Sequence, residues 1–257
     1  MKLERNQIKC IAISCMVLDH VAFALVPYTS PLFHVMRFFG RCTAPIMCCL
    51  LAEGWRRTSN RRRYISRMFA FGAISYVPYV LLGHPYVMVG QGSMWQLDFD
   101  MEVTLGICLL MLAGWDWVMA KTGPGPVRWA GLGAVVAAAC WLTRWCDWPI
   151  IAPLWVINAY INRDNRTVFI SMFIMIGLYA SYYNYVQWLA ITDSWVTALV
   201  YDIYTLGFLL AIPLMNDYDG IQVRHDKANR YFFYAFYPAH IAIIDLVVYA
   251  MLRQGGY

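Results

Sequence analysis

The 257-residue chain is 61% hydrophobic and only 14% charged, with a mean hydropathy of +0.50. Soluble domains carry about 25% charged residues, so this composition excludes a soluble globule and points to a multi-spanning membrane protein. The formal charge of +5 does not mark a nucleic-acid binder, because the basic residues sit in short loops between apolar runs, where membrane topology accounts for them.

An apolar run of ~18 residues or more reads as a transmembrane helix. The first, Ile8 to Pro27, follows Lys2, Arg5 and Lys9, and without a clear small-residue cleavage site it reads as a retained anchor. It carries Asp19 and His20 side by side, and an ionisable pair inside a membrane helix is a functional-site candidate by default. Leu32 to Gly54 forms a second span, interrupted by His34, Arg37, Arg41 and Pro45, and ends in the arginine-rich turn Arg56 to Arg63. Ile65 to Leu82 is a third span; the loop after it ends in Asp98, Asp100 and Glu102 and has no Lys or Arg.

Val103 to Met119 is a fourth span, Lys121 to Arg128 a basic loop, and Trp129 to Leu142 a small-residue fifth helix suited to close packing. Trp148 to Ile161 carries Pro149 and Pro153 and falls short of the ~20 residues of a straight crossing, so a short, tilted or re-entrant segment is expected. Arg163 and Arg166 follow it. Val168 to Leu189 and Trp195 to Met215 are the next spans, and Arg224, Lys227 and Arg230 precede the last, Tyr231 to Leu252.

Basic loops alternate with basic-poor ones in this order. The positive-inside rule then predicts an all-α bundle of about nine transmembrane helices, forming one domain over residues 1–257, with the amino terminus cytoplasmic and the carboxyl terminus outside. Trp55, Trp95, Trp148, Trp188 and Trp195 fall near span ends and read as interfacial belts.

At ~1.5 Å per residue, His20 lies about 10 Å and Arg41 about 14 Å below the outer face, with His240 about 16 Å from the inner face of a ~30 Å core. Asp202 and Asp245 fall at similar depth, so ionisable groups from four helices are expected to cluster in the outer half of the membrane. For Asp202 and Asp245 a structural role in fixing helix register competes evenly with a functional one. His34, Arg37 and Arg41, spaced i, i+3, i+7, share one helix face that reads as the wall of a cavity, with snorkelling of Arg37 as the plain alternative. The eight cysteines show no metal-type spacing and read as small packing residues, so no metal is expected.

Several segments together carry a family resemblance. MVLDH (Met16 to His20), MRFFGRCTAPI (Met36 to Ile46), EGW (Glu53 to Trp55), RRYISRMFAFGAISYVPY (Arg62 to Tyr79) and KANRYFFYAFYPAHIAII (Lys227 to Ile244) resemble the TraX family of bacterial inner-membrane proteins. Departures are Thr43, where the family tends to have an apolar residue before its proline, and Asp147-Trp148-Pro149, where an Asp-Tyr-Gly-like turn is common. The resemblance implies a multi-pass protein of the bacterial inner membrane and an acetyl- or acyltransferase, since the name-giving member acetylates the amino terminus of processed pilin in conjugative plasmids. A looser similarity, Lys9 and His20 separated by ten residues, links it to the membrane acyltransferases that modify surface sugars, with Lys in place of their Arg.

On that reading acetyl-CoA is the donor and a pilin or other envelope molecule the acceptor. His20 is the candidate base, Asp19 its orienter or the partner of Arg41, Arg41 the holder of the oxyanion or donor carbonyl, and His240 a second base or transient acyl carrier. The arginines Arg56, Arg57, Arg61, Arg62 and Arg63, with Arg37 and Arg67, are candidates to hold the donor's phosphates. Two rivals remain at this level: an ion- or proton-coupled transporter, for which no inverted repeat or pair of broken helices is visible, and a noncatalytic pilus-assembly factor in which the polar cluster only holds helices together.

Overall fold

The chain is described by a computed structural model covering residues 3–218 and 227–255. Those residues are mostly helical, with no strand among them, and the architecture is a membrane helix bundle. The helices are α1 (Arg5–Leu25), α2 (Pro31–Gly40), α3 (Thr43–Arg57), α4 (Arg61–Gly83), α5 (Met101–Lys121), α6 (Pro126–Leu142), α7 (Ile151–Ile161), α8 (Arg166–Thr192), α9 (Trp195–Asp202), α10 (Ala211–Asp217) and α11 (Lys227–Arg253). The expected basic stretch at Arg224 lies outside the described residues. Large apolar side chains such as Ile74, Met175 and Leu246 stand exposed on the helices, the pattern of surfaces made for lipid rather than water.

Eight segments among the described residues are long and apolar enough to cross a membrane, one fewer than the nine expected, because α7 has only 11 residues. Two of the eight are not single helices, which corrects the expectation that no pair of broken helices is present. The second span breaks between α2 and α3 at Arg41 and Cys42, where the Pro45 ring would clash with the Arg41 carbonyl one turn back. The span Trp195–Asp217 passes from α9 into a 3-10 stretch, Ile203–Leu210, before α10. Pro213 offers the Leu209 carbonyl no N–H, and Gly207 packs so closely on α2 that a Cβ there would overlap the Phe38 carbonyl oxygen.

The chain forms two compact units, Met1–Met47 with Arg166–Tyr257, and Cys48–Asn165. In the first, α1 and α2 are antiparallel: Thr43 Oγ1 donates to the Ala12 carbonyl (3.0 Å) at one end and Arg37 reaches Asp19 at the other. α1 and α11 run in the same direction, since Lys9 Nζ lies 4.7 Å from the Phe233 ring centre while His20 meets His240. α8 and α9 form a hairpin, with Asp193 in the left-handed region (φ 50°) and Ser194 capping α9.

In the second unit Asp100 caps α5, its Oδ1 accepting from the Val103 N–H at 2.9 Å. α5 lies antiparallel to α4, where Ser75 and Glu102 meet at 3.0 Å, and antiparallel to α6, where Gly131 faces Val118. The segment leading into and through α7 runs along α5 from one end to the other. Asp147 accepts from Thr104 Oγ1 at 2.8 Å, and thirteen residues later the Tyr160 hydroxyl donates to Asp116 at 2.6 Å. A re-entrant loop would return to its starting level, and this segment does not. Its short helix is almost wholly buried, Ile151 through Ala159 apart from Leu154, so protein rather than lipid satisfies its ends.

Candidate functional site

The expected cluster falls in the first unit, where α1 and α11 bring two histidines from opposite ends of the sequence together. His20 Nδ1 lies 2.7 Å from His240 Nε2, and the rings stack with centroids 5.0 Å apart. His240 Nδ1 lies 2.9 Å from the Phe236 carbonyl oxygen. A carbonyl only accepts, so Nδ1 of His240 carries the hydrogen; neutral His240 then presents a lone pair at Nε2, and His20 Nδ1–H must be the donor to it. The proton-free nitrogen of neutral His20 is therefore Nε2, and no hydrogen bond to the described residues occupies it. The Phe236 ring stacks on His240 at 5.2 Å, and Tyr237 meets both histidine rings edge-on. Phe236 precedes His240 by one helical turn, which is why one α11 face supplies both the carbonyl and the stacking ring.

Asp19 turns away from His20 and pairs with α2. Arg37 Nη1 is 2.6 Å from its Oδ2 and Arg41 Nε 3.9 Å from its Oδ1, with all three side chains nearly buried. Gly40 makes this possible, because a Cβ there would overlap Asp19. Both guanidiniums also lie over Tyr204, at 5.3 Å for Arg37 and 5.1 Å for Arg41. The partner that orients His20 is His240, and Asp19 instead holds the arginine face of α2.

Asp202 is held by Ser181, by Asn184 Nδ2 (2.7 Å) and by Thr205 Oγ1 (3.0 Å), a closed network that ties α8 to the start of the 3-10 stretch. Asp245 is buried with no hydrogen bond to either carboxylate oxygen among the described residues. The two do not pair with one another.

The arginines of the turn differ in their contacts. Arg56 donates to the Ala159 (3.1 Å) and Tyr160 carbonyls, closing the end of α7. Arg57 pairs with Glu53 (2.7 Å) and Arg61 with Asp116 (2.9 Å). Arg67 lies with its guanidinium over Tyr64, while Arg62 and Arg63 are exposed. Asp116, which spacing alone did not single out, is the hub here: it also accepts from Trp55 Nε1 (3.1 Å) and the Tyr160 hydroxyl. Trp55 is buried at 1% exposure and belongs to this hub, not to an interfacial belt, whereas Trp95 and Trp195 are exposed. Among the described residues no group of three or more His, Cys, Asp or Glu side chains is placed to hold a metal ion.

Membrane-length helices that bury two coupled histidines and an aspartate between two arginines define a polytopic membrane protein with an internal ionisable site. The chain belongs to the TraX protein family, whose model matches residues 4–248. It is also 30% identical over 250 residues to the probable fimbrial assembly protein FimC, serogroup H1, of Dichelobacter nodosus, covering 93% of both chains. No solved structure matches.

Proposed function

We propose that this protein is a membrane-embedded acyltransferase that moves an acetyl group from acetyl-CoA to the amino terminus of a pilin or another envelope acceptor. One observation carries the reading: the directed chain from His20 Nδ1–H to His240 Nε2, and from His240 Nδ1–H to the Phe236 carbonyl, which leaves a lone pair on His20 Nε2. That is the arrangement a general base needs, a lone pair at one nitrogen and an oriented hydrogen bond at the other. The family membership and the relative's name, a fimbrial assembly protein, supply the pilus context.

In this reading the acceptor amine attacks the thioester carbonyl carbon. An N–C bond forms, the carbonyl π electrons move onto oxygen beside the Arg41 guanidinium, and His20 Nε2 takes the proton that the attacking nitrogen must lose. Collapse breaks the C–S bond, and the leaving thiolate recovers that proton from His20. While His20 is charged, its Nδ1–H already points at His240, so no heavy atom has to move to share the charge. Both nitrogens of His240 are engaged, which favours a relay or orienting role for it over that of acyl carrier.

In this reading the protein lies in the inner membrane, with the first and last helices both entering from the cytoplasm, a reading that the alternation of basic loops supports. Labelled acetyl-CoA supplied to proteoliposomes of the purified chain, with a pilin amino-terminal peptide as acceptor, tests the proposal. Transfer that depends on His20 supports it, and a membrane that moves protons without any transfer supports the rival transporter reading.

A further inference from the structure

The second unit holds a cleft of about 540 Å³ where α5, α6 and α7 meet the arginine turn. This is within the ~300–1,000 Å³ of small-molecule sites. Its apolar walls include Trp115, Met119, Trp129 and Leu132, and two guanidiniums, Arg56 and Arg163, line it. Arg56 is held rigidly, by the α7 carbonyls and by the Tyr160 ring 4.9 Å from its Cζ. Arg163 is exposed on the turn after α7 and makes no hydrogen bond or ion pair among the described residues.

With Asp116 paired to Arg61, the cleft keeps two guanidiniums against the one carboxylate of Asp164. Asp116 also lines it, but its carboxylate is spent on Arg61, Trp55 and Tyr160. Asp164, exposed on the turn, is the remaining acidic side chain in the lining. Arg56 and Arg163 repel one another, Asp164 offsets part of that repulsion, and an anion between the two guanidiniums offsets the rest. The aromatic walls specify what the anion is attached to, since indole faces accept a base by stacking or an acyl chain by packing.

We infer that this cleft is a binding site for a phosphate ester borne on an apolar or heteroaromatic body, with Arg56 and Arg163 holding the phosphate and Trp115 and Trp129 the body. The inference stands without the acyltransferase reading, because two molecules offer the same chemistry: the headgroup of an anionic phospholipid, and the nucleotide end of an acyl-CoA. Only the second source rests on that reading.

The experiment is calorimetric titration of the full chain in a neutral detergent with coenzyme A, with adenosine 3′,5′-bisphosphate, and with dioctanoyl phosphatidylglycerol, using dioctanoyl phosphatidylcholine as the zwitterionic reference. At least one anionic probe should bind saturably, and Arg163→Gln should weaken it about 10-fold or more, the worth of a charge-assisted hydrogen bond. Trp129→Phe should weaken the same probe less than Arg163→Gln does. Both substitutions lie on exposed positions, and an unchanged melting temperature verifies that the fold is intact. Coenzyme A and the bisphosphate binding in an Arg163-dependent way assigns the cleft to a nucleotide; phosphatidylglycerol alone doing so assigns it to lipid and leaves the acyl-transfer assay to judge the donor separately. Absence of saturable binding by every anionic probe, or equal affinity for the wild type and Arg163→Gln, overturns the inference.

Discussion

His20 Nδ1 stands 2.7 Å from His240 Nε2, and the Phe236 carbonyl on the far side of His240 decides which of the two donates. His20→Gln keeps a hydrogen-bonding group but removes the basic nitrogen, so transfer should fall by about 10²- to 10⁴-fold while the protein still inserts. His240→Gln should cost less, because an amide oxygen still accepts from His20 Nδ1–H and fails only to share the proton. Initial rates of acetyl transfer for the two variants test this order. A deeper loss in His240→Gln, with disappearance of single-turnover labelling of the protein, would return His240 to the role of acyl carrier.

Asp19 pairs with the nearly buried Arg37 at 2.6 Å, so its neutral isostere leaves that guanidinium without the carboxylate it faces. Asp19→Asn should destabilise the protein by about 3–5 kcal/mol, the cost of breaking a buried pair from one side. Removing both partners, in Asp19→Leu with Arg37→Leu, should recover much of that loss. Gly40→Ala should resemble Asp19→Asn, because the new methyl occupies the place of the Asp19 side chain. Thermal unfolding in detergent reads all three, and a double variant no more stable than Asp19→Asn would show that the pair is not the source of the effect.

Much of this arrangement was legible in the sequence because charge inside an apolar run is costly and so stands out. His20, Arg37, Arg41 and His240 announced themselves that way, and the structure gathers them in one unit. Their pairing was legible only in part: a pair of Asp19 with Arg41 was one alternative and is present, but nothing local says that Asp19 also turns to Arg37 while His20 turns to a helix 220 positions later. Gly40 was silent because its role is the absence of a side chain. Trp55 reads in the sequence as a span-end residue and Asp116 does not stand out, since only the arrival of α7 beside α5 makes them a hub. The breaks in the second and eighth spans had a visible cause in Pro45 and Pro213, while the close approach of Gly207 to Phe38 is a tertiary fact.

The cap of α5 carries a pH signature. Burial pushes the Asp100 carboxyl up to about 7, although the Val103 N–H opposes the shift. A raised carboxyl pKa means the folded chain holds a proton that the unfolded chain releases near 4, so stability falls as pH rises between roughly 4 and 7, by at most about 1.4 kcal/mol per pH unit. Asp100→Asn retains a side-chain acceptor for the Val103 N–H and should flatten the dependence of melting temperature on pH over that window. A wild-type melting temperature that falls from pH 5 to pH 7 with the same slope in the variant would remove Asp100 as its cause.

The arginine turn should separate into binding and structural positions. Arg62 and Arg63 are exposed, so replacing both with Gln should raise the donor KM while leaving kcat near wild type, as expected for charges that attract a polyanion uniformly. Arg61→Gln should instead lower the melting temperature modestly, by less than about 1 kcal/mol of stability given its half-exposed pair with Asp116. A kcat defect in Arg62→Gln/Arg63→Gln would contradict the steering role, provided the topology of that variant is verified, because these residues also carry the orientation signal.

Topology is the prediction on which the direction of transfer depends, and two parallel pairs of helices bear on it. Within the first unit α1 and α11 run the same way, and within the second the segment through α7 runs the same way as α5, reaching from Thr104 to Asp116. Helices that run parallel have an odd number of crossings between them. Between α1 and α11 that requires the short α7 to count as one, which gives nine crossings and agrees with basic loops after Arg56, Lys121 and Arg163 on one side. Reporter fusions at Asp147 and at Arg163 should therefore lie on opposite faces, outside and cytoplasmic, with a fusion after Arg63 cytoplasmic and one after Tyr257 outside. If the fusions at Asp147 and Arg163 reported the same compartment, α7 would not cross, the two termini would share a side, and the depth that brings His20 towards an outer acceptor would lose its basis.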